Sequence, residues 1–552
     1  MVRITIAISL LLFLLFSCKT HGPIVGTQID NDTTPVKDIF QYPLQEVSFN
    51  IEELLANNKS TSQNSNSKVL LTRNLYAKNN YLPIWTNDTL INKAIKVIGS
   101  AKEHGLTPRA YNYRAIDSLS KIYKLDSNKV IANCTQLEIL ISQSLLKLSK
   151  HVYNGILKPE TYHPSWNYLQ KPKINFDSLV STLAKENRID ELLMLIEPSF
   201  IAYTMLKEEF KRLIVDTIKN VSSIEYPEMI NRLGDSNKYV HELKVYLADR
   251  GEYPRELISY KFDTTLLNTI ISIQNKHGLT PDGLPGRNTY LAINWSKTIY
   301  ENAIRLNMER LRWYPNTSLP NITVNIPEHR LFLKGNDSIL SENRVIVGRY
   351  KNQTPVLSST IDYIVFNPCW TVPHSIASKK MLPRIKKDTN YLDNRNMFIT
   401  KNGERINHHE VDFSEYNENN FPYKIFQNTG PGNALGKVKF MFANQYSIYL
   451  HDTPSKYLFK RDNRALSHGC VRVSNAQSLA EIILKDIDKN PSSLIYYYSK
   501  GYPEKVYLTT SIKLSIQYLT CSYNEKINQV QFFSDIYGFD KKLLEDLNRI
   551  TK

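Results

Sequence analysis

Two side chains in the last quarter of the chain raise the chemical question. His451 ends the apolar run of "YSIYLHD", and Cys470 follows nineteen residues later in "SHGCVRVS". A thiol beside an imidazole is the usual way to make a nucleophile at neutral pH. Gly469, next to the cysteine, lets backbone approach a ligand closely. The pattern places Cys470 at a strand-to-helix junction, with the positive end of a helix from Ser474 near the sulfur, favouring thiolate. Arg472, two residues on, then shares the strand face of Cys470 and can bind a substrate carboxylate. Taken alone the pair is weak evidence, because a buried structural cysteine fits the same residues.

Strands must bring these side chains together. Beyond about residue 320 the hydrophobic period becomes two: "NITVNI", "RVIVG", "DYIVFN", "KVKFMF" and "YSIYLHD" read as strands. "SNAQSLAEIILKDID" reads as a helix with Ser474 as N-cap and Gln477 at the capping-box position. A polar, aromatic, Asn-rich segment at about 375–430 interrupts the strands and suits a mobile lid. From about 68 to 255 the pattern is helical. Leu137, Leu140, Ile141, Leu145 and Leu148 make one buried face, with Asn133 or Thr135 as a possible cap. Further helical stretches run over 187–196 and 237–250. Residues 262–294 form a compact unit: Asp263 caps a helix lined by Leu266, Ile270 and Ile273, Gly278 ends it, "TPDGLPG" turns, and a second helix begins at Thr289.

The chain has 552 residues, 42% hydrophobic and 22% charged, with 69 Lys and Arg against 53 Asp and Glu, a net +16. Three or four folded domains and an anionic partner suit these values. Five cysteines with no CxxC pair exclude a zinc ribbon and a thioredoxin-like site. The apolar run from Ile4 to Phe16 is too short to span a bilayer and fits a secretory signal. It ends in Leu15-Phe16-Ser17-Cys18, which resembles the bacterial lipobox. The expectation is a signal peptide at 1–17, lipidation of Cys18, and a flexible tether over 18–67 with a short helix around 49–56. Export and the lack of a nucleic-acid-binding signature argue against nucleic acid as the partner.

"HDTP…SHGCVRV" resembles the signature of the YkuD-type L,D-transpeptidases, His-x(14–17)-[Ser/Thr]-x-Gly-Cys-x-Arg, with fifteen residues between His451 and Ser467. "NMERLRW", "VNIPEHRLFL", "VGRYKNQTPVLS", "NPCWTVPHSI" and "GPGNALGKVKFMFAN" follow the order of the large YcbB-like branch. "YLPIWT" and "AKEHGLTPRAY" are similar to its helical scaffold. "IQNKHGLTPDGLPGRNTYLAIN" resembles the peptidoglycan-binding type 1 module. His468 departs from the branch, which often has a small residue there, and Cys369 in "NPCW" reads as a spare thiol.

The resemblance implies a multidomain α+β chain: a helical scaffold at 68–255, a three-helix peptidoglycan-binding-like module at 256–296, a mostly β catalytic domain at 300–500 carrying the lid, and an extension at 501–552 packed on the scaffold. It implies Cys470 as nucleophile, His451 as base, and backbone N–H groups around His468, Gly469 and Cys470 as the oxyanion hole. Arg472, Tyr449, Trp370 and Ser467 would hold the donor. Partners are peptidoglycan stem peptides and the sacculus, with a membrane reached through the N-terminal lipid. No cofactor or metal is called for, a carbapenem should acylate Cys470, and the location is the periplasmic face of the outer membrane. An L,D-carboxypeptidase with the same site and a non-catalytic wall-binding lipoprotein are the alternatives.

Competing motifs fail. "GPGNALGKV" has three residues between Gly432 and Gly436 where a phosphate loop needs four, and Val438 replaces its Ser/Thr. The family reading makes it a tight turn under the site. "HHEVDF" lacks the second histidine of HExxH and reads as lid surface. Ser118-x-x-Lys121 and Ser144-x-x-Lys147 lie in the helical region, and no KTG box accompanies them.

Overall fold

In the computed structural model, residues 41–57, 72–126, 128–166, 171–216, 221–315, 321–335, 338–489 and 494–551 are described. The expected signal peptide and Cys18 lie outside them. Within the expected tether, Leu44–Asn57 is helical, and Val47, Ile51 and Leu55 are buried at four-residue spacing. This stretch is therefore packed structure rather than flexible tether, and its apolar stripe is hidden in sequence by polar flanks on both sides.

The helical part is organised by Val130–Asn154, which buries Leu137, Ile141, Leu145, Leu148 and Val152 along one stripe. It begins earlier than expected: Lys129 sits at its N-cap, and the Thr135 hydroxyl donates to the Ile131 carbonyl, so neither Asn133 nor Thr135 caps it. Glu138 is buried there, accepting from the Ile84 and Trp85 N–H groups and the Tyr76 hydroxyl, and burial pushes its carboxyl up to about 7.

Lys297–Leu311 joins this helical part to the sheet. Its Glu309 accepts from the N–H groups of Ile156 and Leu157, while Arg310 pairs with Asp540 near the C-terminus. The unit at 262–294 matches its reading closely: Asp263 accepts from Leu266 N–H, Thr264–Lys276 forms the helix, and Gly278 has a positive φ of 60°. Its second helix is Arg287–Ile293. The third helix of this cluster is Lys238–Asp249, upstream of the expected boundary at 256: Val240, Leu243 and Leu247 pack with Leu266, Ile270 and Tyr290.

The strands are β1 (Ile322–Asn325), β2 (Arg330–Lys334), β3 (Ile339–Gly348), β4 (Leu357–Phe366), β5 (Trp370–Thr371), β6 (Met397–Lys401), β7 (Glu404–Ile406), β8 (Lys424–Gln427), β9 (Val438–Phe442), β10 (Leu450–His451), β11 (Ala465–Ser467), β12 (Val471–Val473), β13 (Glu504–Gln517), β14 (Cys521–Asn524) and β15 (Gln529–Phe532). Nine of them bond in the order β11-β3-β12-β10-β9-β4-β13-β1-β2. β2 also pairs with β3, so the sheet closes on itself. Alternation sends Val438, Phe440, Leu450, Val471, Val473, Leu514 and Ile516 into the core.

β13 lies in the middle of this sheet, between β4 and β1. This strand lies beyond the expected domain end at 500, so the sheet itself extends through Gln517. The remainder does pack on the helical part: Cys521, Val530 and Phe532 of the β14–β15 hairpin share a core with Tyr203, Leu206 and Phe210.

The insertion is a folded body rather than a polar loop. β5, β8, β6 and β7 form a second sheet over a core of its own that includes Met381, Leu382, Leu392, Ile399, Phe421 and Ile425. Its apolar residues are spaced irregularly through short turns, which is why the sequence reads as loop.

Candidate active site

The site is the face of the closed sheet opposite the core. Register places Lys439 of β9 against His451 of β10, and His451 against Arg472 of β12, so one row of side chains crosses three strands. Tyr449 and Cys470 each lie two residues before that row on their chains, and Val471 N–H donates to the Tyr449 carbonyl at 3.2 Å. Strand pairing thus sets His451 opposite Arg472, two residues beyond Cys470.

Cys470 lies in a turn between β11 and β12, not at a strand-to-helix junction. The following helix is Ala476–Ile482, preceded by Asn475 with no side-chain cap, while the Ser474 N–H donates to the Arg344 carbonyl. Neither Ser474 nor Gln477 makes the expected capping box. Correspondingly, burial pushes the Cys470 thiol up, although the Tyr449 N–H and hydroxyl, Arg472 and Lys439 all favour the thiolate. The thiol is the resting form.

Burial first, and the neighbouring Cys470 next, push the Tyr449 hydroxyl up. Trp370, in the first strand of the lid, acts on the same hydroxyl in the opposite direction, so it lies near the site. His451 is buried, and its Nδ1–H donates to the Asp452 carbonyl at 2.5 Å, which leaves Nε2 with the lone pair. Burial first, and Arg472 second, push its pKa down to about 3, so the ring is neutral at ordinary pH. The Asp452 carboxylate accepts from Lys437 N–H at 2.9 Å and from Lys456 Nζ at 2.5 Å. A Cβ on Gly436 would stand 2.3 Å from its Oδ2, so the "GPGNALGKV" turn packs directly under the strand that carries His451, as expected.

Ser467, expected to touch substrate, is occupied within the turn: its hydroxyl donates to the Cys470 carbonyl at 2.6 Å and accepts from Gly469 N–H at 3.1 Å. That bond also takes Gly469 N–H out of the expected oxyanion hole. Among the described residues, the N–H groups of His468 and Cys470 have no acceptor in the protein. Gly469 adopts φ 121°, a conformation L side chains rarely adopt, and this, rather than crowding, requires glycine. His468 Nε2 accepts from Lys380 of the lid, and burial plus the Lys380, Arg349 and Arg472 charges push that ring down to about 4. Arg472 is held beside Cys470 with its Nε buried and without a partner, an unused donor at the site.

Sequence reasoning missed the groups that fix the turn. The Thr354 hydroxyl donates to the Gly469 carbonyl at 2.7 Å and accepts from Gly348 N–H at 2.8 Å. Tyr537 closes the network: its hydroxyl donates to the Gly348 carbonyl at 2.7 Å and accepts from Thr354 N–H at 3.1 Å. Arg349 donates to the Leu466 carbonyl. Thr354 sits inside the quoted "VGRYKNQTPVLS", so a signal existed for it; Tyr537 lies 67 positions beyond the cysteine with none. Lys439 was also missed. It is partly buried, its amine is pushed down by burial, and it senses both Cys470 and the half-buried Cys369.

Residues 320–501 match the YkuD-type L,D-transpeptidase catalytic domain, and residues 71–210 match the Scaffold domain. A Haemophilus influenzae protein, provisionally named as an L,D-transpeptidase, is 35% identical over 322 residues. The match spans 58% of this chain and 65% of that protein, a little under two thirds of its length. Solved L,D-transpeptidase structures from Xylanimonas cellulosilytica (12% identity, 53% of this chain and 100% of that one, TM-score 0.18) and Stackebrandtia nassauensis (11%, 55% and 97%, TM-score 0.19) are also similar, too loosely to carry an argument.

Proposed function

We propose, from the premise that residues 320–501 are an L,D-transpeptidase catalytic domain, that this chain cross-links peptidoglycan through a thioester on Cys470. The observation that carries the reading is the row Lys439–His451–Arg472 beside Cys470 on one sheet face, with the His451 tautomer fixed by the Asp452 carbonyl.

The sulfur attacks the carbonyl that joins the third stem residue to the terminal D-Ala of a tetrapeptide donor. His451 Nε2 takes the thiol proton and passes it to the departing D-Ala amine as the C–N bond breaks. The side-chain amine of a second stem's diaminopimelate then attacks the thioester. A new amide forms, the C–S bond breaks, and the amine's proton returns to sulfur through His451. The N–H groups of His468 and Cys470 face the developing oxyanion. The unpartnered Arg472 guanidinium binds a donor carboxylate, while Tyr449 and Trp370 flank the aliphatic chain. Catalytic hydrogen bonds are often loose before substrate arrives and tighten in the complex, so the bond between the Cys470 thiol and His451 Nε2 forms as the donor binds.

Mass spectrometry of muropeptides after incubation with tetrapeptide-rich sacculi tests this: cross-links between diaminopimelate residues are expected, and release of D-Ala without them would make the chain an L,D-carboxypeptidase. Cys470→Ala should abolish cross-linking and the carbapenem adduct; an adduct retained in that variant, or mapped to Cys369, overturns the assignment.

The 256–296 unit we read as a brace. Its Asp282 accepts from Gln274 and Leu284 N–H within the unit, and Thr280 donates through its hydroxyl to Asp462, five residues before Ser467. Asp282→Ala should lower Tm and leave sacculus binding unchanged; lost sedimentation with sacculi at unchanged Tm would restore a wall-binding role. The run ending at Cys18 supports lipid anchoring at the periplasmic face of the outer membrane, and labelled palmitate should be incorporated in the wild type and not in Cys18→Ser.

A further inference from the structure

We propose that Asp393, His408 and His409 form a binding site for one divalent transition-metal ion, zinc above all, on the outer part of the lid. The site is independent of the chemistry assigned to Cys470.

The three residues come from two turns of the insertion. Asp393 opens the short helical turn Asp393–Arg395, and the two histidines open His408–Glu410, just after β7. Their ligand atoms converge: His408 Nε2 lies 3.0 Å and His409 Nε2 2.9 Å from the same oxygen, Asp393 Oδ2, and all three atoms fall within 4.8 Å of one another. Ligands about 2.0–2.1 Å from a tetrahedral zinc stand about 3.3 Å apart, so a small outward movement of the carboxylate admits the ion. The two imidazoles face each other with centroids 4.1 Å apart. Adjacent residues in a chain rarely aim both rings at one point, and here local bonds enforce it.

Those bonds hold each turn independently of any ion. Asn407 Oδ1 accepts from His409 N–H at 3.2 Å, and Asn407 Nδ2 donates to Glu410 at 2.8 Å, which keeps Glu410 out of the ligand set. On the other side, Asn396 adopts a left-handed conformation (φ 51°) after Asp393–Arg395, and the Asn428 N–H donates to its carbonyl at 2.9 Å, tying the turn to the end of β8. The ordering cost of binding is thereby largely met in advance.

The donor set chooses the metal. Two imidazole nitrogens and one carboxylate oxygen suit Zn²⁺, Ni²⁺ or Cu²⁺, whereas Mg²⁺ and Ca²⁺ require mainly oxygen ligands. Three protein ligands leave one tetrahedral position for water. The ion would clip 393–395 to 407–410 and stiffen the lid.

The test is titration of the full chain with Zn²⁺ against a competing chelator, together with the absorption spectrum of the Co²⁺ form. We expect one ion per chain, tetrahedral d–d bands, and no thiolate-to-cobalt charge transfer. Affinity should fall at least tenfold in Asp393→Asn and more in the double variant His408→Asn, His409→Asn, and be retained in Cys470→Ala. Zinc should also slow proteolytic cutting between residues 390 and 412 in the unaltered protein. Lack of binding, survival of binding in the double variant, or a charge-transfer band marking a cysteine ligand would each overturn the proposal. Because the spectrum and the proteolysis use the unaltered chain, misfolding of a variant cannot decide the outcome.

Discussion

The turn that carries Cys470 and the lid above it are held in opposite ways. The turn's backbone is tied both to itself and to remote segments: Ser467 bonds the Cys470 carbonyl and Gly469 N–H, Arg349 N–H donates to the Ser467 carbonyl, and Thr354, itself held by Tyr537, bonds the Gly469 carbonyl. The lid has its own sheet and core, and it reaches the turn through Lys380 on His468. A nucleophile displaced by 1 Å can lose about a hundredfold in rate, so its turn is over-determined. The insertion instead holds itself together around a core of its own.

That contrast can be broken at several depths. The largest effect belongs to the base. His451→Ala should lower turnover by about 10²–10⁴-fold. His468→Ala should cost less, since Lys380 already occupies the His468 Nε2 lone pair. Reversed severity would make His468 the base. With the His451 pKa pushed down to about 3, the acid limb of kcat/KM should fall well below the pH 6.5 of an ordinary imidazole. The same shift has a stability sign. The unfolded ring binds a proton that the folded one refuses, so stability is lost as pH falls from about 6.5 toward 3. His277 and His329, both buried and pushed down to about 3, act the same way. Thermal melts at pH 5 and pH 7 should therefore differ, and His277→Gln should narrow the gap.

An intermediate effect tests the fixed turn. Tyr537→Phe leaves the Gly348 carbonyl and Thr354 N–H without their hydroxyl, a cost of about 1–3 kcal/mol. If the network positions Cys470, kcat should fall while donor KM holds; a drop in Tm alone would reduce Tyr537 to a packing residue. The smallest effect belongs to the lid. Lys380→Ala removes an exposed contact worth at most about 1 kcal/mol. It should slow cross-linking of sacculi a few-fold and leave acylation by a small β-lactam unchanged. Equal losses for both substrates would mean that the lid and the turn are one mechanical unit.

How far the sequence reads depends on the range of the forces involved. Asp263 with Leu266, or the alternation of "KVKFMF", are local patterns, and the structure reproduces them. The pair His451 and Cys470 is weak by spacing alone and becomes legible through its likeness to the YkuD signature. What was not legible depends on distant partners. Capping was assigned to Ser474 because its type and place were right, yet its N–H is drawn to Arg344 in β3. A thiolate was expected from a nearby helix end, but desolvation outweighs it. Ser467 looked available because the bond to its own turn needs the φ of Gly469 to form.

The place of β13 has a consequence for the order in which the molecule becomes active. His451, Cys470 and Arg472 are all synthesised before the strand that fills the middle of their sheet, and before Tyr537, which secures their turn. A chain leaving the ribosome N-terminus first thus carries its complete set of reactive groups for a time without the frame that aligns them. The buried Ile512, Leu514 and Ile516 supply the missing core strip, each worth about 1.5–3 kcal/mol once covered. The last strand of this sheet to arrive works as a timer: the thiol precedes, by more than thirty residues, the strand that completes its frame.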